Sequence, residues 1–213
     1  MNNGNYLEKL KQSHPVFNDL NLDKNQQERL KSLLSYSHGA ISSLRNRLSE
    51  LSQDAIHNEQ FKKEKLNEVK AELQSTLDRE FSVFKTKTAL AQQSLHSATH
   101  SEKPKDSVEA LLQHMQQQEI RNDLRRLPPA KRTEYLLDSA EAGNPSVLRA
   151  VQNQPVTSDL VPSDILDRAS KTYAQKIAPQ QSEAVTLAEQ DLQAAEKVRN
   201  LVQVAMGYIE QNL

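Results

Sequence analysis

Two histidines stand four residues apart, at His96 and His100, a spacing that turns both imidazoles to one side of a helix with Glu102 available as a third ligand for a divalent cation. A structural metal site usually takes four ligands, and the chain has no cysteine to complete one, so the plainer reading is two surface histidines near a helix end. Arg121, Arg125, Arg126, Lys131 and Arg132 form the densest basic cluster and are the residues fit to touch phosphate. Glu119 and Asp123 are interleaved with them, no aromatic platform accompanies them, and residues 105–179 carry ten basic against ten acidic side chains. Mixed sign of this kind favours a solvated helix face. The carboxylate pairs Asp164 with Asp167 and Glu59 with Glu64 would need burial or a close like charge to become an acid–base couple. For Asp164, a helix start favouring negative charge is explanation enough.

Other chemistry is poorly supplied. A phosphate-cradling loop needs clustered glycines, because the backbone must approach the anion without a Cβ in the way, and Gly4, Gly39, Gly143 and Gly207 are far apart. There is no G-x-S-x-G elbow and no H-E-x-x-H pair. Without cysteine there is no thiol nucleophile, no thiolate metal site and no disulfide framework. The expectation is a protein that is not an enzyme, with no cofactor, no metal and no small-molecule substrate.

The elements that would hold these residues are helices. Hydrophobic residues make up 36% and charged residues 26%, with few aromatics, so the chain is neither disordered by composition nor rich in strand formers. Residues 40–103 contain no Gly and no Pro. Asp23 offers an N-cap, and Leu30, Leu34, Ser37, Ile41, Leu44, Leu48 and Leu51 then recur at heptad-like spacing. The stripe loses phase across residues 57–60 and resumes with Leu66, Val69, Leu73, Leu77, Phe81 and Phe84. Either the chain reverses at Asn58 into a long, coiled-coil-like hairpin, or one helix of about 110 Å runs through with a stutter. The hairpin is preferred, because Asn58 can cap a new helix and each seam can then bury the other.

Beyond Pro104 the punctuation becomes dense. Asp106 with Glu109 has capping-box spacing, and Val108, Leu111, Leu112, Met115, Ile120, Leu124 and Leu127 form the apolar face of the helix that follows. Pro128-Pro129, Gly143-Asn144-Pro145, Pro155, Pro162 and Pro179 then divide the chain into short helices, with Tyr135, Leu136, Val147, Leu148, Val151, Tyr173 and Ile177 among their expected core residues. The fold class expected is all-α: a flexible or docking segment at 1–23, a long helical hairpin at 24–103, a compact small-helix bundle at 104–179, and a C-terminal amphipathic helix at 180–213.

A formal charge of −1 gives no bulk attraction to nucleic acid or to an anionic membrane, and no apolar run approaches the roughly 20 residues of a spanning helix. The opening residues lack the pattern of a secretory signal. Partners are therefore expected to be other protein subunits, with Leu44, Leu48, Leu51, Leu73, Phe81 and Phe84 on the hairpin seam and Val202, Met206 and Ile209 on a partner-facing edge. Simple intramolecular core is the competing role for each.

Two stretches carry a resemblance. One is residues 44–77, with its turn at Ile56-His-Asn-Glu and the Lys-Lys-Glu-Lys-Leu run of residues 62–66. The other extends from Glu119-Ile-Arg-Asn-Asp-Leu-Arg125 through Ala140-Glu-Ala-Gly-Asn-Pro145 and Leu148-Arg-Ala-Val151 to Tyr173-Ala174 and Ala178-Pro179. In texture and order of segments, over about two-thirds of the chain, they resemble uncharacterised tailed-bacteriophage proteins that accompany head and tail components. The resemblance implies a non-catalytic virion or head-assembly role, located in the virion or the host cytoplasm, as a homo-oligomer or bound to other virion proteins. Phage scaffolding proteins are likewise long, helical and glutamine-rich, but their coat-binding tail is basic and the C-terminal helix here is not. That ranks scaffolding, with a host-directed adaptor, as the alternative to a general structural role.

Overall fold

Helix boundaries in this chain are set by side chains a few residues away. Asp23 and Gln26 close a reciprocal capping box, each side chain meeting the other's backbone N–H at 2.8 and 3.1 Å. Asn58 accepts from the Phe61 N–H at 2.9 Å, Asp106 from those of Val108 and Glu109, and Asn144 from that of Ser146 ahead of Pro145. Gly143 ends a helix at φ 73°, a conformation that a side chain would strain.

The computed structural model describes residues 5–99, 104, 106–154 and 160–210. Among the described residues there are nine α-helices and no strand. They are α1 (Tyr6–Ser13), α2 (Lys24–Arg29), α3 (Lys31–Gln53), α4 (Glu59–Thr99), α5 (Ser107–Arg126), α6 (Pro129–Glu141), α7 (Pro145–Gln152), α8 (Ser163–Ile177) and α9 (Pro179–Glu210), with a 3-10 turn at Pro15–Phe17. The chain is all-α. Helix stops at Gln53 and restarts at Glu59, where the sequence stripe loses phase, so residues 24–99 are not one continuous rod. No helix among the described residues is long and apolar enough to cross a membrane.

Two compact units divide the chain, one within residues 1–89 and 187–213, the other within 90–186. These limits differ from the borders drawn at 103/104 and 179/180. Proline marks where helices begin and end, but α4 and α9 each pass unbroken from one unit into the other.

In the first unit, α1, α3, Leu30 at the end of α2 and the portions of α4 and α9 that belong to it share one hydrophobic core. The polar contacts give the register. Arg199 Nε donates to Asp78 at 2.7 Å and the Thr88 hydroxyl to the Ala188 carbonyl at 3.1 Å, so α4 and α9 run antiparallel. Arg29, the last residue of α2, bonds both Asp191 oxygens at 2.7 and 2.9 Å, while Arg45 and Leu48 of α3 border one cleft with Tyr208 and Ile209, so the chain from the end of α2 through α3 runs the same way as α9. The Tyr36 hydroxyl on α3 donates to the Leu73 carbonyl on α4 at 3.0 Å. Ser37 occupies its seam position without loss, because its buried hydroxyl donates to the Leu33 carbonyl.

Residues 5–22 are folded onto this core and do not form a flexible segment. Leu7, Leu10, Phe17 and Leu20 are buried, and the His14 Nδ1 accepts from the Val16 N–H at 3.2 Å to start the 3-10 turn. Polar spacing and Pro15 hide this in the sequence, because four apolar side chains in two short pieces leave no long stripe. Fully burying each is worth roughly 1.5–3 kcal/mol, enough to hold a short helix that would not form alone.

The second unit packs α5 to α8 around Leu124, Leu136, Ala140, Leu148, Val151 and Tyr173. Tyr135 and Ile177, expected in that core, are exposed. Adjacent helix positions point about 100° apart, and at the 135–136 pair it is Leu136 that turns inward.

Candidate functional site

The seam residues lie together in the first unit's core. Leu44, Leu51, Phe81, Phe84, Val202, Met206 and Ile209 are buried there, with Leu48 and Leu73 half-buried against them. Val202, Met206 and Ile209 thus face inward, and no partner-facing edge is left on that stripe of α9. The stripe continues through Ala195, Val198 and Ala205, which are buried in the same core.

The basic cluster is dispersed by its own bonds. Arg121 is buried and its Nη1 donates to the Ala150 carbonyl at 3.1 Å, a contact from α5 to α7. Arg125 bonds Asn122, Arg126 pairs with Asp123, and Lys131 pairs with Glu134, which raises the Lys131 pKa. Arg132 donates to the carbonyls of Leu127 and Arg125, where α5 ends and its last carbonyls need donors. The cluster closes a helix end, and its charges do not converge on one point. Asp164 and Asp167 are exposed, Glu59 pairs with Lys62, and Glu64 accepts from Gln60. His100 and Glu102 lie outside the described residues, and no group of metal-ligating side chains occurs among the described ones.

What the structure leaves open is the first half of α5. Val108, Leu111, Leu112 and Met115 are 65%, 59%, 55% and 57% exposed, at the i, i+3, i+4, i+7 spacing of a single helix face. The buried residues of α5 are Arg121 and Leu124, both in its second half. From Ala110 to Gln118 the helix carries no formal charge with histidine neutral. Its first turn is acidic and its last turn basic. A contiguous apolar face rimmed by glutamine and histidine is the composition of a contact surface.

A second feature is a cleft of about 270 Å³ in the second unit, lined by the end of α4 (Gln92, Leu95, His96, Thr99), by α7 (Pro145, Leu148, Arg149, Gln152) and by α8 (Ser170, Lys171, Tyr173, Ala174). The Gln152 amide donates to the Ser170 hydroxyl at 3.2 Å, tying α7 to α8. Arg149, Lys171 and Tyr173 meet here although no motif links them, since the two helices that bring them together are separated by residues 153–162. At the opposite end of α4, the Asp54 carboxylate accepts from the N–H groups of Ile56 and His57 and lies 2.6 Å from His57 Nδ1. The His57 contact first, then these backbone donors, lowers the Asp54 pKa to about 2.

Comparison with known proteins gives no match to a family model, to a curated protein or to a solved structure.

Proposed function

We propose that this is a non-enzymatic structural or assembly protein, a component of a phage particle or of its head assembly, that acts through helical protein–protein contacts. The observation that carries the reading is the exposed, uncharged stripe Val108, Leu111, Leu112 and Met115 on α5. A second copy of the chain is its occupant. Two such faces meet with no like charges opposed, because residues 110–118 carry no formal charge with histidine neutral. A contact of this kind is isologous and closes as a dimer. In the same reading α3 and α4 are the two arms of a long hairpin, supported by the Tyr36 to Leu73 bond, and they stiffen the particle-facing body. The resemblance of the two sequence stretches to tailed-phage proteins supports the setting.

Light scattering on a size-exclusion peak, repeated over a range of concentrations, tests the contact. A dimer that the double substitution Leu111→Asp with Leu112→Asp converts to a monomer of unchanged helicity supports it. A wild-type monomer at every concentration overturns it. Co-sedimentation with assembled particles tests the setting, and absence from the particle fraction and from head precursors removes the virion role.

A further inference from the structure

The cleft between the end of α4, α7 and α8 combines two properties that seldom meet by accident. Its walls are apolar where Leu95, Pro145, Leu148 and Ala174 line it, the charged side chains that border it, Arg149 and Lys171, are both cationic, and no carboxylate lines it among the described residues. Neither Arg149 nor Lys171 makes a side-chain hydrogen bond or an ion pair among the described residues. Arg149 also borders a neighbouring polar cleft that holds Glu119 and Asp123, yet it pairs with neither. Arg149 and Lys171 therefore bring two cations to one apolar opening.

Tyr173 adds an independent observation. Its side chain is buried, with 7% of the residue exposed, and its hydroxyl has no hydrogen-bond partner among the described residues. Among the described residues no sealed side-chain oxygen or nitrogen lacks a partner, so this hydroxyl keeps access to an open surface, and Tyr173 lines the cleft. A hydroxyl donor, a guanidinium and an ammonium around an apolar slot match an oxyanion carried on a hydrocarbon body. The volume lies just below the small-molecule range of roughly 300–1,000 Å³, so the ligand is small.

We infer that the second unit binds an amphipathic monocarboxylate of medium chain length in this cleft, with the carboxylate held by Lys171, Arg149 and the Tyr173 hydroxyl and the chain laid against Leu95, Leu148 and Ala174. The site is independent of the α5 stripe and does not rest on the assembly reading.

The test is an amide chemical-shift titration of the full chain with octanoate, with 1-octanol as the uncharged body and with inorganic phosphate as the bodiless anion. Saturable octanoate shifts centred on residues 92–99, 145–152 and 170–174 are expected, with octanol at least about tenfold weaker, the scale of losing a charge-assisted hydrogen bond. Phosphate should not saturate. Lys171→Gln and Tyr173→Phe should each weaken octanoate severalfold while leaving octanol unchanged, and Arg149→Gln is the third variant. Equal affinity for octanoate and octanol overturns the charged subsite. Shifts centred on residues 108–115 reassign binding to the α5 stripe and overturn the site. No saturable shift with any probe overturns the proposal outright.

Discussion

The second half of α9 and the first half of α5 carry the same kind of apolar stripe and meet opposite fates. Val198, Val202, Met206 and Ile209 are buried against α3 and α4, whereas Val108, Leu111, Leu112 and Met115 are each more than half exposed. Periodicity therefore establishes that a helix has an apolar face and says nothing about what covers it. Covering is decided by residues far away in the chain. For α9 these include Asp78 and Arg29, whose bonds to Arg199 and Asp191 fix which side of α9 turns inward. Among the described residues, α5 has a fixed contact of that sort at Arg121, two turns beyond its open face.

The strongest way to break the contrast is to charge both stripes. Val202→Asp buries a carboxylate with no partner and should cost about 3–5 kcal/mol, read as a large fall in the urea midpoint. Leu112→Asp, measured at a dilution where the chain is monomeric, should stay within about 0.5 kcal/mol of wild type, because within the chain that side chain is exposed. Comparable losses at the two positions would mean that the α5 face is covered within the chain. Less drastic is Asp191→Ala, which strands Arg29 and should cost about 1–2 kcal/mol, discounted for the partial exposure of the guanidinium. If its urea midpoint does not move, the register of α9 is held by packing alone.

A smaller effect should follow pH. Burial first, then the charge of Arg45, lowers the His14 pKa below 6.5, and the neutral ring both accepts from the Val16 N–H and stacks on Tyr208 with centroids 5.7 Å apart. With the folded value below the unfolded one, this contribution is present above pH 6.5 and is lost as pH falls through the lower, folded value. Thermal stability of the wild type should therefore drop on acidification through that window. His14→Asn keeps a capping oxygen without titrating there and should flatten the His14 part of the profile. Identical profiles for the two proteins would show that α1 and the 3-10 turn are held independently of this ring.

Local features were legible in the sequence because their causes lie within four residues. The caps at Asp23, Asn58, Asp106 and Asn144, the glycine stop at Gly143 and the loss of phase before Glu59 are all short-range events. Pairings across the chain were not. The docking of Leu10 and Phe17, the inward turn of Val202 and Met206, and the meeting of Arg149 with Lys171 and Tyr173 depend on partners tens of residues away or more. Of the candidate residues named from sequence, the seam leucines and phenylalanines share one core, while the arginine cluster is spent on capping and pairing. Asp54 is legible too, since its position two residues before Ile56 is the ordinary spacing of a side chain that closes a turn.

The unbroken passage of α4 and α9 through both units has a consequence for synthesis. Residues 90–186 form a continuous stretch, so the second unit is complete in the emerging chain while the first still lacks residues 187–213. Until those residues appear, Leu44, Phe81 and Phe84 await the helix that shields them. The half begun first at the ribosome is finished last, and a chain cut before residue 187 would keep every residue of the second unit while lacking part of the first.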